Sequence, residues 1–394
     1  MRVAQIRWWK AALLALAISS LALFAVACGD EEDSDEDTTA TATAAAGTGT
    51  AAASATPAGI ASDLGKNDSA QITGAGATFP APIYQAWFDD YNKKVAKGVQ
   101  VNYQSIGSGG GIQQFTEGTV LFGASDAPMS DAELAKVPDA VHIPMVLGSV
   151  VVTYNISGLT TPLKFDGDTL AKIYLGTIKK WNDPAIAALN SGAKLPDADI
   201  QVVYRSDGSG TTFVWTDYLT AVSADWKSKV GVSKNPSWPV GQGGKGNEGV
   251  SNAVRQTPNA IGYVELNYAI ETKLAFADVK NQAGKFVTPS IDGTSAAAAG
   301  VTLPPDYRVS IVNAKGDTSY PIASFTYLLV HKNTSSCDEQ KPLVNMLWWI
   351  FHDKAAADTA KTLNYAPLPA GVLPNVEATL KGLTCNGQPI LPKG

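Results

Sequence analysis

The stretch "DIQVVYRSDGSGTTFVWTDYL", residues 199–219, decides how the chain is read. "IQVV" is a short apolar run rich in β-branched residues, which suits a buried strand. "RSDGSG" then gathers a cation, a carboxylate and hydroxyls around two glycines, and "TTFVWTDYL" continues as a helix. Strand, Gly/Ser loop and helix in that order make one unit of an α/β fold. The glycines let backbone approach a ligand closely, and the first N–H groups of a helix have no internal partner. Alone, such a loop is equally a nucleophile turn, a nucleotide cradle or a seat for a small anion.

The same design recurs at "GAGATFPAPIYQAWF" (74–88), "SIGSGGGIQQF" (105–115) and "FGASDAPMS" (122–130). N–H groups and hydroxyls aimed at one point from several such loops hold an oxyanion without a full positive charge. Between the loops, "VQVNYQSIG", "VLFGASDAP", "HIPMVLGSVVVTYNI", "AIGYVEL" and "FTYLLVHK" read as strands. "GIQQFTEGT" and "DGDTLAKIYLGTIKKW" read as helices, the latter with Asp168 or Thr169 as its N-cap. A tail helix covers "CDEQKPLVNMLWWIFHDK", where Leu343, Met346, Leu347 and Ile350 follow a 3.6-residue period. The nine tryptophans, Trp348 and Trp349 among them, are assigned to packing rather than to an exposed contact patch.

With 394 residues, 45% apolar and 17% charged, the chain is long enough for two lobes. The formal net charge of −6 argues against nucleic acid as a partner. Most of that charge sits in one run, Asp30, Glu31, Glu32, Asp33, Asp35, Glu36 and Asp37, so the rest of the chain is close to neutral.

Residues 1–27 read as an export signal: Arg2, Arg7 and Lys10 precede the apolar "AALLALAISSLALFAVA". Ala25-Val26-Ala27 before Cys28 fits a cleavage site and also resembles a bacterial lipobox, with Ala25 where leucine is usual. A lipid on Cys28 is favoured over a freely secreted form because an acidic stalk and a Thr/Ala-rich linker follow, residues 28–69 in all; a retained transmembrane anchor is the third option. With Cys28 modified, Cys337 and Cys385 remain as a pair in an oxidising compartment; a disulfide is expected, two unpaired buried thiols being the alternative.

Seven motifs, "GAGATFPAP", "YQSIGSGGGI", "FGASDAP", "YLGTIKKW", "DGSGT", "GGKGNEG" and "NAIGYVEL", follow one another in an order that resembles the phosphate-binding proteins of bacterial high-affinity phosphate ABC importers. The resemblance runs from about residue 70 to 370. It implies a type II periplasmic-binding-protein-like fold, with two α/β lobes joined by two crossing strands and the ligand in the cleft. The first lobe would comprise 70–152 and 323–394, the second 153–322. It further implies inorganic phosphate as ligand, permease subunits of the importer as partners, a lipid anchor to the membrane, a monomeric state and no cofactor. The ligand contacts it implies are Thr78, the Phe79 amide, Ser108, Asp126, Arg205, Ser209, Gly210 and Thr211, with Asp207 beside Arg205. Gly109 departs from the family, which often has serine there, whereas Leu121 departs outside the contact set.

The residue chemistry agrees. Arg205 offers a planar fork to two oxygens, Asp207 would brace it, and the hydroxyls of Thr78, Ser108, Ser209 and Thr211 are donors, capping being their structural alternative. Asp126 would repel an anion unless it accepts a hydrogen bond from a protonated ligand oxygen, which phosphate and arsenate carry and sulfate does not. A secreted phosphatase is the rival from another class. Against it stand the absence of a G-x-S-x-G turn and three histidines, His142, His331 and His352, that adjoin no Gly/Ser loop in sequence. "GGKG" at 243–246 lacks a following Ser or Thr, so no nucleotide loop is read, and no metal-ligand spacing is present.

Overall fold

The computed structural model describes residues 64–392 except Thr160. The expected export signal, Cys28, the acidic run and the expected linker up to residue 63 lie outside the described residues. A turn closed by the Asp68 N–H on the Gly65 carbonyl leads into the first strand.

Among the described residues, nine strands form one sheet: β1 Ser69–Gly76, β2 Gly98–Ser105, β3 Phe122–Ser125, β4 Ala140–Asn155, β5 Gln201–Arg205, β6 Gln242–Gly244, β7 Ala260–Glu265, β8 Ala275–Phe276 and β9 Ala323–His331. Their order is β2-β1-β3-β9-β4-β7-β5-β6, with β8 also on β4. β4 is the element that makes two lobes from this sheet. Every residue from His142 to Tyr154 is buried, so the segment reads as a continuous apolar run rather than an alternation. Ala140–Ser149 pairs antiparallel with β9, while Val150–Asn155 pairs antiparallel with β7. The returning chain crosses at the same place, where the Val150 N–H donates to the Ile322 carbonyl and the Tyr320 hydroxyl to the Val150 carbonyl. On either side of this crossing the outer strands are parallel: β2 and β3 flank β1 in the first lobe, and β6 and β7 flank β5 in the second.

Helices α1 Ala81–Lys94, α2 Ser108–Thr116, α3 Gly167–Tyr174, α4 Gly210–Val222, α5 Gly246–Gln256 and α6 Cys337–His352 cover these strands. α1 places Pro82 in its first turn, where a missing N–H leaves nothing unpaired, and buries Ile83, Tyr84, Trp87, Phe88 and Tyr91 on one side. α3 corrects the expected cap. Its N-cap is Asp166, in extended backbone, accepting from the Thr169 N–H at 2.9 Å. Asp168 lies inside the first turn, where its charge meets the positive helix end and pairs with Lys172 one turn on. In α6, Leu343, Met346, Leu347 and Ile350 are buried as their spacing predicts, and Trp348 is buried against His352.

Cys337, at the start of α6, is joined to Cys385, with their Cα atoms 5.5 Å apart and a sequence separation of 48. A cross-link closing a loop of that length stabilises by about 4 kcal/mol in the chain-entropy picture. The double variant Cys337→Ser/Cys385→Ser should therefore lose about 2–4 kcal/mol in a denaturant titration. An unchanged unfolding midpoint would contradict this. No helix among the described residues is long and apolar enough to cross a membrane.

Candidate anion-binding site

In parallel sheets ligands sit beyond the carboxyl ends of the strands, where loops pass into helix starts. Here β1 ends before Thr78 and Phe79, β2 before Ser108, β3 before Asp126, β5 at Arg205 and β6 before Asn247. The two lobes bring these ends face to face. The Gly109 N–H donates to the Gly208 carbonyl at 2.8 Å, a backbone bond from one lobe to the other. A Cβ at Gly109 would stand 3.1 Å from the Gly208 Cα, so serine at this position would press on the opposite loop. Gly107, with φ +91°, makes the turn that aims α2 at the cleft. Near the cleft, Lys234 of the second lobe reaches Glu133 of the first at 2.5 Å, and the Lys234 carbonyl accepts from the Ser209 N–H.

Arg205 is 1% exposed. Its Nε donates to Asp207 Oδ1 at 2.8 Å and its Nη2 to Oδ2 at 2.5 Å, so one edge of the fork is held by a two-pronged pair. Nη1 donates to Thr211 Oγ1 at 3.3 Å. Of the five guanidinium N–H groups, one on Nη1 and one on Nη2 remain, together forming the end edge that suits two oxygens of one ligand. Burial alone would raise Asp207, but the Arg205 hydrogen bond and charge and the Gly246 N–H outweigh it and hold the carboxyl below its usual range. Behind Arg205, the Tyr263 hydroxyl accepts from the Arg205 N–H at 3.2 Å and pairs with Thr212 at 2.6 Å, fixing where the strand ends.

The four hydroxyls share one wiring. Thr78 Oγ1 accepts from the Asn247 N–H and from Asn247 Nδ2 at 2.8 Å. Thr211 Oγ1 accepts from Arg205 Nη1 and from Asn247 Nδ2 at 3.2 Å. Ser108 Oγ accepts from the Gly210 N–H at 3.0 Å and the Asp126 N–H at 3.3 Å, and Ser209 Oγ accepts from the Thr212 N–H as the N-cap of α4. Each oxygen is thus an acceptor toward the protein; the Ser108 hydroxyl also bonds the Asp126 carboxylate, whereas those of Thr78, Thr211 and Ser209 donate to no protein group among the described residues. Their hydrogens are left for an acceptor in the cleft.

Asp126 is the exception in this set of donors. It is 1% exposed, and its Oδ1 accepts from Thr326 Oγ1 at 2.8 Å. Oδ2 faces the Gly210 Cα and Ser108 Oγ, as the space around Gly210 shows. Burial pushes the carboxyl up to about 7, against the Thr326 hydrogen bond and the Arg205 charge, which pull it down. A carboxyl whose native pKa lies above its unfolded value costs stability once the pH exceeds the unfolded value near 4, the cost reaching its full size above about 7. Asp126→Asn should therefore stabilise the ligand-free protein by a few kcal/mol at pH 8, with the gain vanishing near pH 4. Denaturant titrations at the two pH values check this; a gain of equal size at both would contradict it.

The structure draws Thr78, Ser108, Asp126, Arg205, Ser209, Gly210 and Thr211 into one buried cluster, with the half-buried Asp207 at its edge, joined through the bonds above. Phe79 follows Thr78 in the same turn, and its carbonyl accepts from Tyr365 at 2.7 Å. Two details differ from the sequence reading. The Gly210 N–H, expected to face a ligand, is taken by Ser108 Oγ, because this contact closes one lobe on the other. His142, remote from the loops in sequence, sits behind one of them, accepting the Met129 N–H at 3.0 Å. Burial lowers it to about 4, so it is a neutral support whose Nε2 lone pair is engaged. Asn247, Tyr268, Thr326 and Tyr365 were missed. Asn247 lies in "GGKGNEG" and Tyr268 just beyond "NAIGYVEL", both stretches visible in the sequence without showing what they touch.

This fold, with a donor-lined cleft between lobes joined at a shared strand, is a two-lobed periplasmic binding fold. The PBP superfamily domain matches residues 38–346. Among solved structures, a high-affinity periplasmic phosphate-binding protein, PfluDING, bound with phosphate at pH 8.5 shares the fold at a TM-score of 0.64 and 23% identity, covering 78% of this chain and 93% of that one. The phosphate-binding protein PstS of Pasteurella multocida is 47% identical over 313 residues, covering 79% of this chain and 90% of that protein. The PstS of Methanocaldococcus jannaschii is 39% identical over 303 residues, covering 71% and 78%. The chain belongs to the PstS phosphate-binding protein family.

Proposed function

We propose that this protein binds inorganic phosphate between its lobes, outside the cytoplasm, and delivers it to the permease subunits of an ABC importer. The observation that carries the reading is the wiring of the cleft: hydroxyls and one guanidinium edge are gathered beside one buried carboxylate, Asp126. Such a set suits a tetrahedral oxyanion that keeps a proton. Thr78, the Phe79 amide, Ser108, Arg205, Ser209, Gly210 and Thr211 would hold its oxygens, with the Gly210 N–H shared with Ser108. Asp126 would accept the ligand's proton-bearing oxygen, and Asp207 would brace Arg205. The names of the relatives support phosphate in particular.

The lobes are assigned to 70–152 with 323–394 and to 153–322, a division supported by the change of partner along β4. The protein acts as a monomeric receptor and not as an enzyme, held at the membrane by a lipid on Cys28. A receptor with Kd on the order of 1 μM needs about −8 kcal/mol. Charge-assisted bonds of roughly 1.5–3 kcal/mol each suffice after desolvation and closure.

Calorimetric titration with phosphate, arsenate and sulfate tests the reading. Phosphate and arsenate should bind in the micromolar range or tighter, and sulfate at least about 10³-fold more weakly. Absence of phosphate binding would overturn it, as would turnover of a phosphomonoester abolished by Ser209→Ala.

A further inference from the structure

Asn247 is fully buried, two residues into α5, and belongs to no contact set read from the sequence. Its side-chain amide meets three groups. Oδ1 accepts from the Glu265 backbone N–H at 3.0 Å, and Nδ2 donates to Thr78 Oγ1 at 2.8 Å and to Thr211 Oγ1 at 3.2 Å. The Glu265 N–H has only a hydrogen to offer, so it selects the amide oxygen and leaves the NH₂ end to the two threonines. That fixes the amide without ambiguity. It also occupies each threonine oxygen as an acceptor, and each hydroxyl hydrogen is directed away from Asn247 into the cleft.

The two threonines come from different lobes. Thr211 stands on α4 beside Asn247 in the second lobe, whereas Thr78 follows β1 in the first. The bonds from Asn247 to Thr78 therefore exist only with the lobes closed, and the Tyr268 hydroxyl adds a third second-lobe bond to the same turn, to the Thr78 carbonyl at 2.6 Å.

We infer that Asn247 is a positioning residue that sets the donor direction of the Thr78 and Thr211 hydroxyls and makes the Thr78 donor available only as the cleft closes. It touches no ligand; it acts through the two hydroxyls. The inference rests on the phosphate reading above and adds to it a residue that couples closure to ligand polarity.

A double-mutant cycle with inorganic phosphate tests it. Asn247→Leu keeps the branching of the side chain and removes its donor and acceptor, and should weaken phosphate binding about 50-fold, within the range for lost buried hydrogen bonds. In a Thr78→Val/Thr211→Val background the same change should cost less than about 3-fold, since the groups it acts through are gone. The phosphate-to-sulfate ratio should stay as in the wild type, because Asp126 is untouched. Equal losses in both backgrounds would overturn the inference, since a merely structural role is additive. Should Asn247→Leu fail to fold, the smaller, uncharged Asn247→Ala serves in the same cycle with the same expected non-additivity. The wild-type titration separates the two levels of the argument. Wild-type protein that does not bind phosphate overturns the proposed function and this inference with it, whereas binding with additive losses overturns the role of Asn247 alone.

Discussion

Replacing Arg205 with methionine is expected to weaken phosphate binding by at least about 10³-fold, or about 4 kcal/mol. Two effects act together. The end edge of the guanidinium supplies two charge-assisted bonds to the ligand, each worth roughly 1.5–3 kcal/mol. Its other edge pairs with Asp207, which is largely buried and would be left facing an anion with its main partner removed. Arg205→Lys should fall between, near about 10²-fold, since an ammonium keeps the charge but cannot serve Asp207 and two ligand oxygens in one plane. Calorimetry at fixed pH and ionic strength reads the affinity. The methionine variant should also unfold at lower denaturant without ligand, because the buried pair is broken. A loss below tenfold would remove Arg205 from the site.

Asp126→Asn is expected to change what binds more than how much binds. With the carboxylate present, sulfate would place an unprotonated oxygen against Asp126 Oδ2, two acceptors with no hydrogen between them. Sites built around such a bond discriminate by about 10⁴–10⁵. An amide donates to sulfate as readily as to phosphate, so the phosphate-to-sulfate ratio should fall by about 10³-fold or more. The pH dependence follows with a definite sign. Burial pushes the ligand-free carboxyl up to about 7, and to accept from phosphate it must lose its proton. Wild-type affinity relative to the variant should therefore fall about tenfold for each pH step of one below that value and level off above it. Unchanged selectivity, or a ratio of wild-type to variant affinity flat between pH 5 and 8, would contradict the role given to Asp126.

Local chemistry was legible where it is written along the chain. The strand, loop and helix at 199–219 follow from β-branched residues, glycines and a hydroxyl cap, and the structure forms β5, the loop and α4 there. The buried face of α6 follows from its period. What the sequence does not display is which segments meet. The partner change of β4 is invisible because all its residues from His142 to Tyr154 are buried, so no alternation marks the point where one lobe gives way to the other. The α3 cap, expected at Asp168 or Thr169, lies two or three residues earlier at Asp166, because "DGD" offers two carboxylates around one glycine and only the backbone angles choose between them. Asn247 escaped notice for the same reason as His142. Each acts across more than a dozen residues of chain or more, Asn247 on Thr78 and His142 on Met129, and a contact of that kind has no period and no spacing.

The most direct test of the account is a crystal structure of the protein grown with phosphate. The account predicts one phosphate between the lobes, with two oxygens on the end edge of Arg205. A third oxygen should lie about 2.5–2.7 Å from Asp126 Oδ2, the separation of a proton shared with a carboxylate. The Thr78 and Thr211 hydroxyls should donate to the ligand while still accepting from Asn247. A phosphate bound elsewhere, or one in the cleft with Asp126 turned away from it, would contradict the central claim.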